Sequence, residues 1–159
     1  MIDNSLFHSR NILCDLNVSS KKQLFQEMVS VLLTSPELDS ANLTCRDIVN
    51  AAVERERLGS TGVGSGVALP HARIDGIDRV HAVFARLEVP LDYEAIDDRP
   101  VDLVTLLLAP TDAGGAHLRA LAKVSRLLRR QDLRQRLRTA PNAESLFVTL
   151  TDERKATAA

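Results

Sequence analysis

The 159-residue chain has no tryptophan, one tyrosine and four phenylalanines. So little aromatic surface argues against a stacking platform for single-stranded nucleic acid, and equally against carbohydrate binding by stacking. Cysteine is also scarce. Cys14 and Cys45 stand 31 positions apart, form no CxxC pair and have apolar neighbours, as structural thiols do. Neither sign of charge dominates. Twenty Lys and Arg against 21 Asp and Glu leave a formal net charge of -1, which gives no general reason to expect nucleic acid or an anionic membrane as partner. Long hydrophobic runs are missing as well. No segment approaches the length of a membrane span, and the first residues lack the basic and apolar regions of a signal peptide. A cytoplasmic protein without membrane insertion is expected.

What is present suits one globular domain: 45% apolar and 26% charged residues over a length that can bury a substantial core. Ser20 with Gln23 makes a capping pattern before an apolar stripe at Leu24, Phe25, Met28, Val31 and Leu32, which predicts a helix from about Lys21 to Leu33, ended by Pro36. Thr44 with Asp47 opens a second helix whose last turn carries Arg55 and Arg57. Val67 to Leu69 reads as a short strand terminated by Pro70, placing His71 at a strand end. Val80 to Leu87 and Val101 to Ala109 read as further strands, the second buried on both faces.

The segment from Pro90 to Pro100 is acidic and is expected to be a solvated connection. His117 falls in the first turn of a helix whose apolar side runs Leu118, Leu121, Ala122, Ser125 and Leu128. Leu133 and Leu137 mark a short helix, and Asn142 begins a last one. The fold expected is α/β: one domain over residues 6–150 with a central sheet carrying helices, then a tail over 151–159.

Four of the seven glycines fall between Gly59 and Gly66, shortly before Pro70 and His71. Glycine-rich backbone can approach an anion closely, and an imidazole is a nucleophile that titrates near neutrality. Two familiar phosphate motifs do not fit. The run lacks the Gly-Lys-Ser/Thr ending of a Walker A loop, and it lies between a helix and a strand, the reverse of the dinucleotide fingerprint. Metal binding by His71 and His117 alone is weak, and Ser65 lacks the strand-elbow-helix context of a hydrolase nucleophile.

A phosphoryl group held on nitrogen needs a free ring nitrogen, a partner for the other one, and N–H or cationic groups around the oxygens. His71, Arg55, the loop amides and His117 can supply these. Arg55 has a second reading as compensation of the helix dipole, and Ser60 and Thr61 either donate to phosphoryl oxygens or cap the turn. His117 also suits a structural role; His8 and His81 are read as structural or surface residues. From Arg119 to Arg138 eight basic residues face one acid, Asp132, mostly as solvated helix faces and alternatively as a docking surface for an acidic partner.

The stretch from Arg55 to Arg73, with Ala95 to Val104 and His117 to Leu121, resembles the fructose/mannitol-type enzyme IIA family of the bacterial phosphotransferase system, nearest its stand-alone nitrogen-regulatory branch. The resemblance spans roughly Leu6 to Leu150; Ser65 and Ala72 depart from residues frequent in relatives. It implies a mixed central sheet with helices on both sides and a phosphocarrier charged by a histidine-phosphorylated carrier protein. It further implies His71 as phosphoryl acceptor, His117 as second active-site histidine, Arg55 beside them, and a phosphoryl-binding loop of Ser60, Thr61, Gly62, Gly64 and Gly66. Regulated transporters or sensor kinases are the implied downstream partners, with neither cofactor nor metal. A sugar-transport IIA component and a non-transferring binding module of the same fold are the alternatives.

Overall fold

A computed structural model describes residues 6–35, 38 and 43–151. Ser20 caps helix α1 (Lys21–Leu32), its hydroxyl accepting from the Gln23 amide at 3.1 Å, and Leu24, Phe25, Met28, Val29 and Leu32 are buried. Pro36 and the tail from Asp152 onward lie outside the described residues. Thr44 caps α2 (Cys45–Arg57) in the same way, accepting from the Asp47 amide. These are the start signals that the side-chain oxygens of Ser and Thr provide for orphan amides.

Six strands form one mixed sheet: β1 (Ile12–Leu16), β2 (Gly62–Gly64), β3 (Val67–Ala68), β4 (His71–Ile74), β5 (His81–Leu91) and β6 (Val101–Pro110). The path runs β1-β5-β6-β3-β2, with β4 also on β6. β5 and β6 are antiparallel, whereas β1 lies parallel to β5 and both β3 and β4 lie parallel to β6. After β6 come α3 (Gly115–Leu128), α4 (Gln131–Thr139) and α5 (Ala143–Thr151). The last helix includes Thr151.

Strict alternation along β5 and β6 divides the core in two. Val83, Ala85, Leu106 and Leu108 meet α1 and α2 on one face, while Ala82, Phe84, Leu103 and Leu107 meet α3, α4 and α5 on the other. Burial on both faces explains the continuous apolar run of β6.

One expectation is borne out and one is corrected. β3 ends at Ala68, ahead of Pro70, and His71 opens β4, at a strand end. The register along β6 is kept across the break, Val67 pairing with Leu103 and His71 with Leu107, and the Pro70 carbonyl accepts from the Leu107 amide. The segment after Pro90, by contrast, is not wholly solvated. Pro90 and Leu91 belong to β5, and Leu91, Tyr93 and Ala95 are buried. Its acids mask an apolar residue at alternate positions.

Candidate functional site

The odd-numbered residues Val67 and Leu69 pack toward α3, and His71 and Arg73 follow them in the same alternation, which aims the His71 ring at the groove between this strand and α3. Across the groove stands His117, in the first turn of α3. The two rings meet edge to face with centroids 5.4 Å apart. Distant segments thus bring together the two histidines singled out in the sequence.

His71 is fixed at both nitrogens. Its Nδ1 lies 2.9 Å from the Leu69 carbonyl and its Nε2 lies 3.2 Å from Arg55 Nε. A carbonyl can only accept and a guanidinium can only donate, so the ring carries its proton on Nδ1 and a lone pair on Nε2. The residue that sets the tautomer is therefore Leu69, through its backbone carbonyl. Arg55 Nε reaches His71, while Nη1 donates to the Gly59 carbonyl just past the C-terminus of α2.

Burial lowers the His71 pKa from its ordinary value, against the raising effect of the Leu69 bond and with help from the Arg55 and Arg73 charges. Burial also lowers the His117 pKa, with smaller contributions from His71 and Arg73. Both rings are consequently neutral near pH 7. His117 is 4% exposed and neither of its ring nitrogens has a hydrogen-bond partner among the described residues.

Beneath Arg55 lies a network that sequence reasoning missed. Glu56 accepts from Lys21 Nζ at 3.0 Å, from the Thr61 amide at 2.9 Å, from Thr61 Oγ1 at 2.6 Å and from the Tyr93 hydroxyl at 3.2 Å. Burial works to raise the Glu56 pKa, yet the Thr61 and Lys21 hydrogen bonds outweigh it and the carboxyl stays below its ordinary value. Burial, seconded by the Glu56 charge, drives the Tyr93 hydroxyl far above the usual tyrosine range. Lys21 Nζ also stands 4.4 Å from the Tyr93 ring centroid. The available signals were Glu56, the acid directly after Arg55, and Tyr93, the only tyrosine.

The expected phosphoryl-binding loop divides accordingly. Ser60 and Thr61 line a groove of about 350 Å³ with Arg55, His71, Leu69 and Leu121. The Thr61 hydroxyl contacts Glu56 and Tyr93, and Ser60 Oγ accepts from the Gly62 amide. Gly62, Gly64 and Gly66 lie just beyond, on the β2–β3 hairpin, and Gly64 lines the neighbouring groove with Val63, Leu69 and Ser125. A Cβ on Gly62 would stand 2.5 Å from Ala95 Cβ, whereas Gly64 and Gly66 take φ of +104° and +79° around the β2–β3 turn. That turn is held by Asp97, which accepts from the Ser65 amide, and by Arg138, which donates to the Ser65 carbonyl while paired with Asp102. The glycines build the hairpin that carries Thr61 and Leu69 into place.

On α3 the expected apolar face is displaced. His117, Val124 and Leu128 are buried, while Leu118 is 65% exposed and Ala122 and Ser125 border the His71 groove. The basic stretch is partly engaged: Arg130 pairs with Asp132, and Arg134 donates to the Leu128 and Arg129 carbonyls at the end of α3. Cys14 and Cys45 are free and half-buried. His81 opens β5 opposite Leu108 and, like His8, does not line the groove.

A mixed sheet sandwiched by helices is the architecture of solved phosphotransferase-system IIA proteins. Residues 5–153 match the family "Phosphoenolpyruvate-dependent sugar phosphotransferase system, EIIA 2", and the chain belongs to it: a phosphotransferase component. Among similar proteins, the nitrogen regulatory protein of Bradyrhizobium diazoefficiens is 44% identical over 139 residues, 87% of this chain and 88% of that protein. The nitrogen regulatory protein of Pseudomonas aeruginosa is 38% identical, covering 84% of each. The crystal structure of nitrogen regulatory protein IIA-Ntr from Neisseria meningitidis superposes with a TM-score of 0.84 at 34% identity, covering 93% of this chain and 98% of that one. Among the described residues no helix is long and apolar enough to cross a membrane.

Proposed function

We propose that the protein is a cytoplasmic phosphohistidine carrier of the nitrogen-regulatory branch, which accepts a phosphoryl group at His71 from a histidine-phosphorylated carrier protein and controls partner proteins through the charge it then bears. The observation that supports this most directly is the commitment of His71 Nδ1 to the Leu69 carbonyl, which leaves Nε2 as the nucleophile toward the groove.

In the transfer, the Nε2 lone pair attacks phosphorus in line, the N–P bond to the carrier's histidine breaks, and that imidazole departs with the bonding pair. His71 keeps its Nδ1 proton against Leu69 throughout, so no proton has to move. Arg55, already at Nε2, slides from the nitrogen onto the phosphoryl oxygens, and a neutral His117 gives them an N–H donor. Groups of this kind need only be positioned, since phosphoryl transfer draws mainly on alignment and charge stabilisation. Val63 and Leu118, 54% and 65% exposed, flank the groove or stand on its helix and offer apolar contact to a docking carrier that must exclude water. A dianionic group at His71 then changes the electrostatics of the same face, which is how phosphorylation would be read by a transporter or sensor kinase.

Incubation with phosphoenolpyruvate, enzyme I and the carrier protein tests the reading. Wild type should acquire an acid-labile phosphoryl group visible by phosphorus NMR, and His71→Gln should acquire none. Label that persists in His71→Gln removes the assignment.

A further inference from the structure

The first turn of α3, which carries His117, has little of its own to hold it. Gly114 leads into the helix at φ +52° and ψ −116°, a conformation that favours glycine, and no side chain caps the helix start among the described residues. Neither His117 ring nitrogen has a partner among those residues, so the imidazole stands where packing and the backbone of this turn put it.

Just upstream the chain is gripped from β4. Thr111 follows directly on β6 and Asp75 on β4, two parallel strands whose last pair is Ile74 with Pro110. Thr111 Oγ1 donates to Asp75 Oδ1 at 2.6 Å, a short bond to a carboxylate. The Thr111 carbonyl accepts from Arg73 Nη1 at 3.4 Å. From there two tight turns lead into the helix, the Ala113 amide donating to the Pro110 carbonyl at 3.0 Å and the Ala116 amide to the Ala113 carbonyl at 3.1 Å. Both side chains that hold Thr111 therefore come from the end of the strand that His71 opens.

We propose that Thr111 is a positioning residue for His117: its bonds to Asp75 and Arg73 fix the start of α3 relative to β4 and thereby set the spacing between the two imidazoles. This role rests on the reading of His71 as phosphoryl acceptor. Nucleophile and donor are then placed from a single strand, and a misplacement of about 1 Å between such groups costs about 10²-fold in rate. Arg73 joins the pair electrostatically as well. Burial is the main cause of the lowered pKa of both imidazoles, and the Arg73 charge adds to the lowering of each. Thr111 and Asp75 are exposed, where single substitutions change global stability little, so an effect on the site is separable from one on the fold.

Single-turnover transfer from the histidine-phosphorylated carrier protein, at several carrier concentrations, tests the clamp in wild type, Thr111→Val, Thr111→Ser and Asp75→Ala. The maximal rate should fall about tenfold in Thr111→Val and Asp75→Ala, with the half-saturating carrier concentration and the urea midpoint unchanged. Thr111→Ser, which keeps the hydroxyl, should transfer as wild type does. In NMR spectra of the free proteins the His117 ring signals should shift in Thr111→Val and Asp75→Ala and hold their place in Thr111→Ser. The proposal fails if Thr111→Val transfers at the wild-type rate, if Thr111→Ser is as slow as Thr111→Val, or if the slow variants also lose their urea midpoint. A wild type that accepts no phosphoryl group would instead remove the role of His71, and the His117 ring signals would then decide by themselves whether the clamp sets the imidazole.

Discussion

The two walls of the His71 groove differ in how completely their polar groups are satisfied. On the wall built from the end of α2 and strands β2 to β4, His71 is bonded at both nitrogens, Arg55 at two of its own, and Glu56 receives four hydrogen bonds. On the α3 side, His117 is buried and neither ring nitrogen has a partner among the described residues, and Leu118 one residue on is largely exposed. Under the proposed function, such a division would preorganise His71 as nucleophile and leave His117 as a donor for the transferred group.

The contrast is broken most severely at His117. Substitution His117→Gln should slow phosphoryl transfer to the protein by about 10²- to 10³-fold, the scale of losing one positioned donor at a developing charge. Its folding stability should change by no more than about 1 kcal/mol, because one buried polar side chain replaces another. Urea unfolding alongside single-turnover transfer separates the two effects. A large stability loss with unchanged transfer would mean that His117 is a packing residue and that the α3 wall is as closed as the other.

Glu56 should behave in the opposite way. Its removal in Glu56→Ala strands Lys21, the Thr61 amide and hydroxyl, and the Tyr93 hydroxyl, at a cost of about 3 kcal/mol in unfolding free energy. Transfer would fall secondarily, as Arg55 and the turn to Gly62 lose their footing. Adding Lys21→Met should restore part of the stability, since the uncompensated charge goes with it; a strictly additive double variant contradicts the network.

These two residues also mark where sequence reasoning stops. His71, Arg55 and His117 were found because their chemistry is carried by side chains in a recognisable block, and the helix caps because Ser20 and Thr44 act on amides three residues away. The tautomer of His71 was not found, because the atom that fixes it is a backbone carbonyl and every residue has one. Tyr93 was hidden among acids whose charge said solvent, although alternate positions Leu91, Tyr93 and Ala95 carry a buried face. The glycines have two readings for a physical reason: positive φ at a hairpin and close approach to an anion ask for the same residue, and the contacts of Gly62 with Ala95 and of Ser65 with Asp97 and Arg138 add the hairpin role that the sequence did not display.

The gentlest way to separate the walls is proton linkage, which needs no substitution to see. His71 and His117 have folded-state pKa values lowered from 6.5, mainly by burial, so the folded chain keeps both neutral while the unfolded chain protonates them. As pH falls through 6.5 the unfolded state binds more protons than the folded one, and stability declines until the pH drops below the lowered values. Glu56 has the same sign in a different window: its folded pKa is lowered from 4.5, so the stability it contributes is intact above that value and is lost only as pH falls below it. Urea unfolding across this range should therefore show a first decline beginning near 6.5 and a second below 4.5. The doubly substituted His71→Gln, His117→Gln chain should lose the first and keep the second, while Glu56→Gln should keep the first and shrink the second to the part carried by Asp15, Asp97 and Asp132, which are also lowered. A wild-type profile flat between about pH 7 and 5 would show that the imidazoles are as easily protonated in the fold as outside it, and the α3 wall would then hold a charged His117.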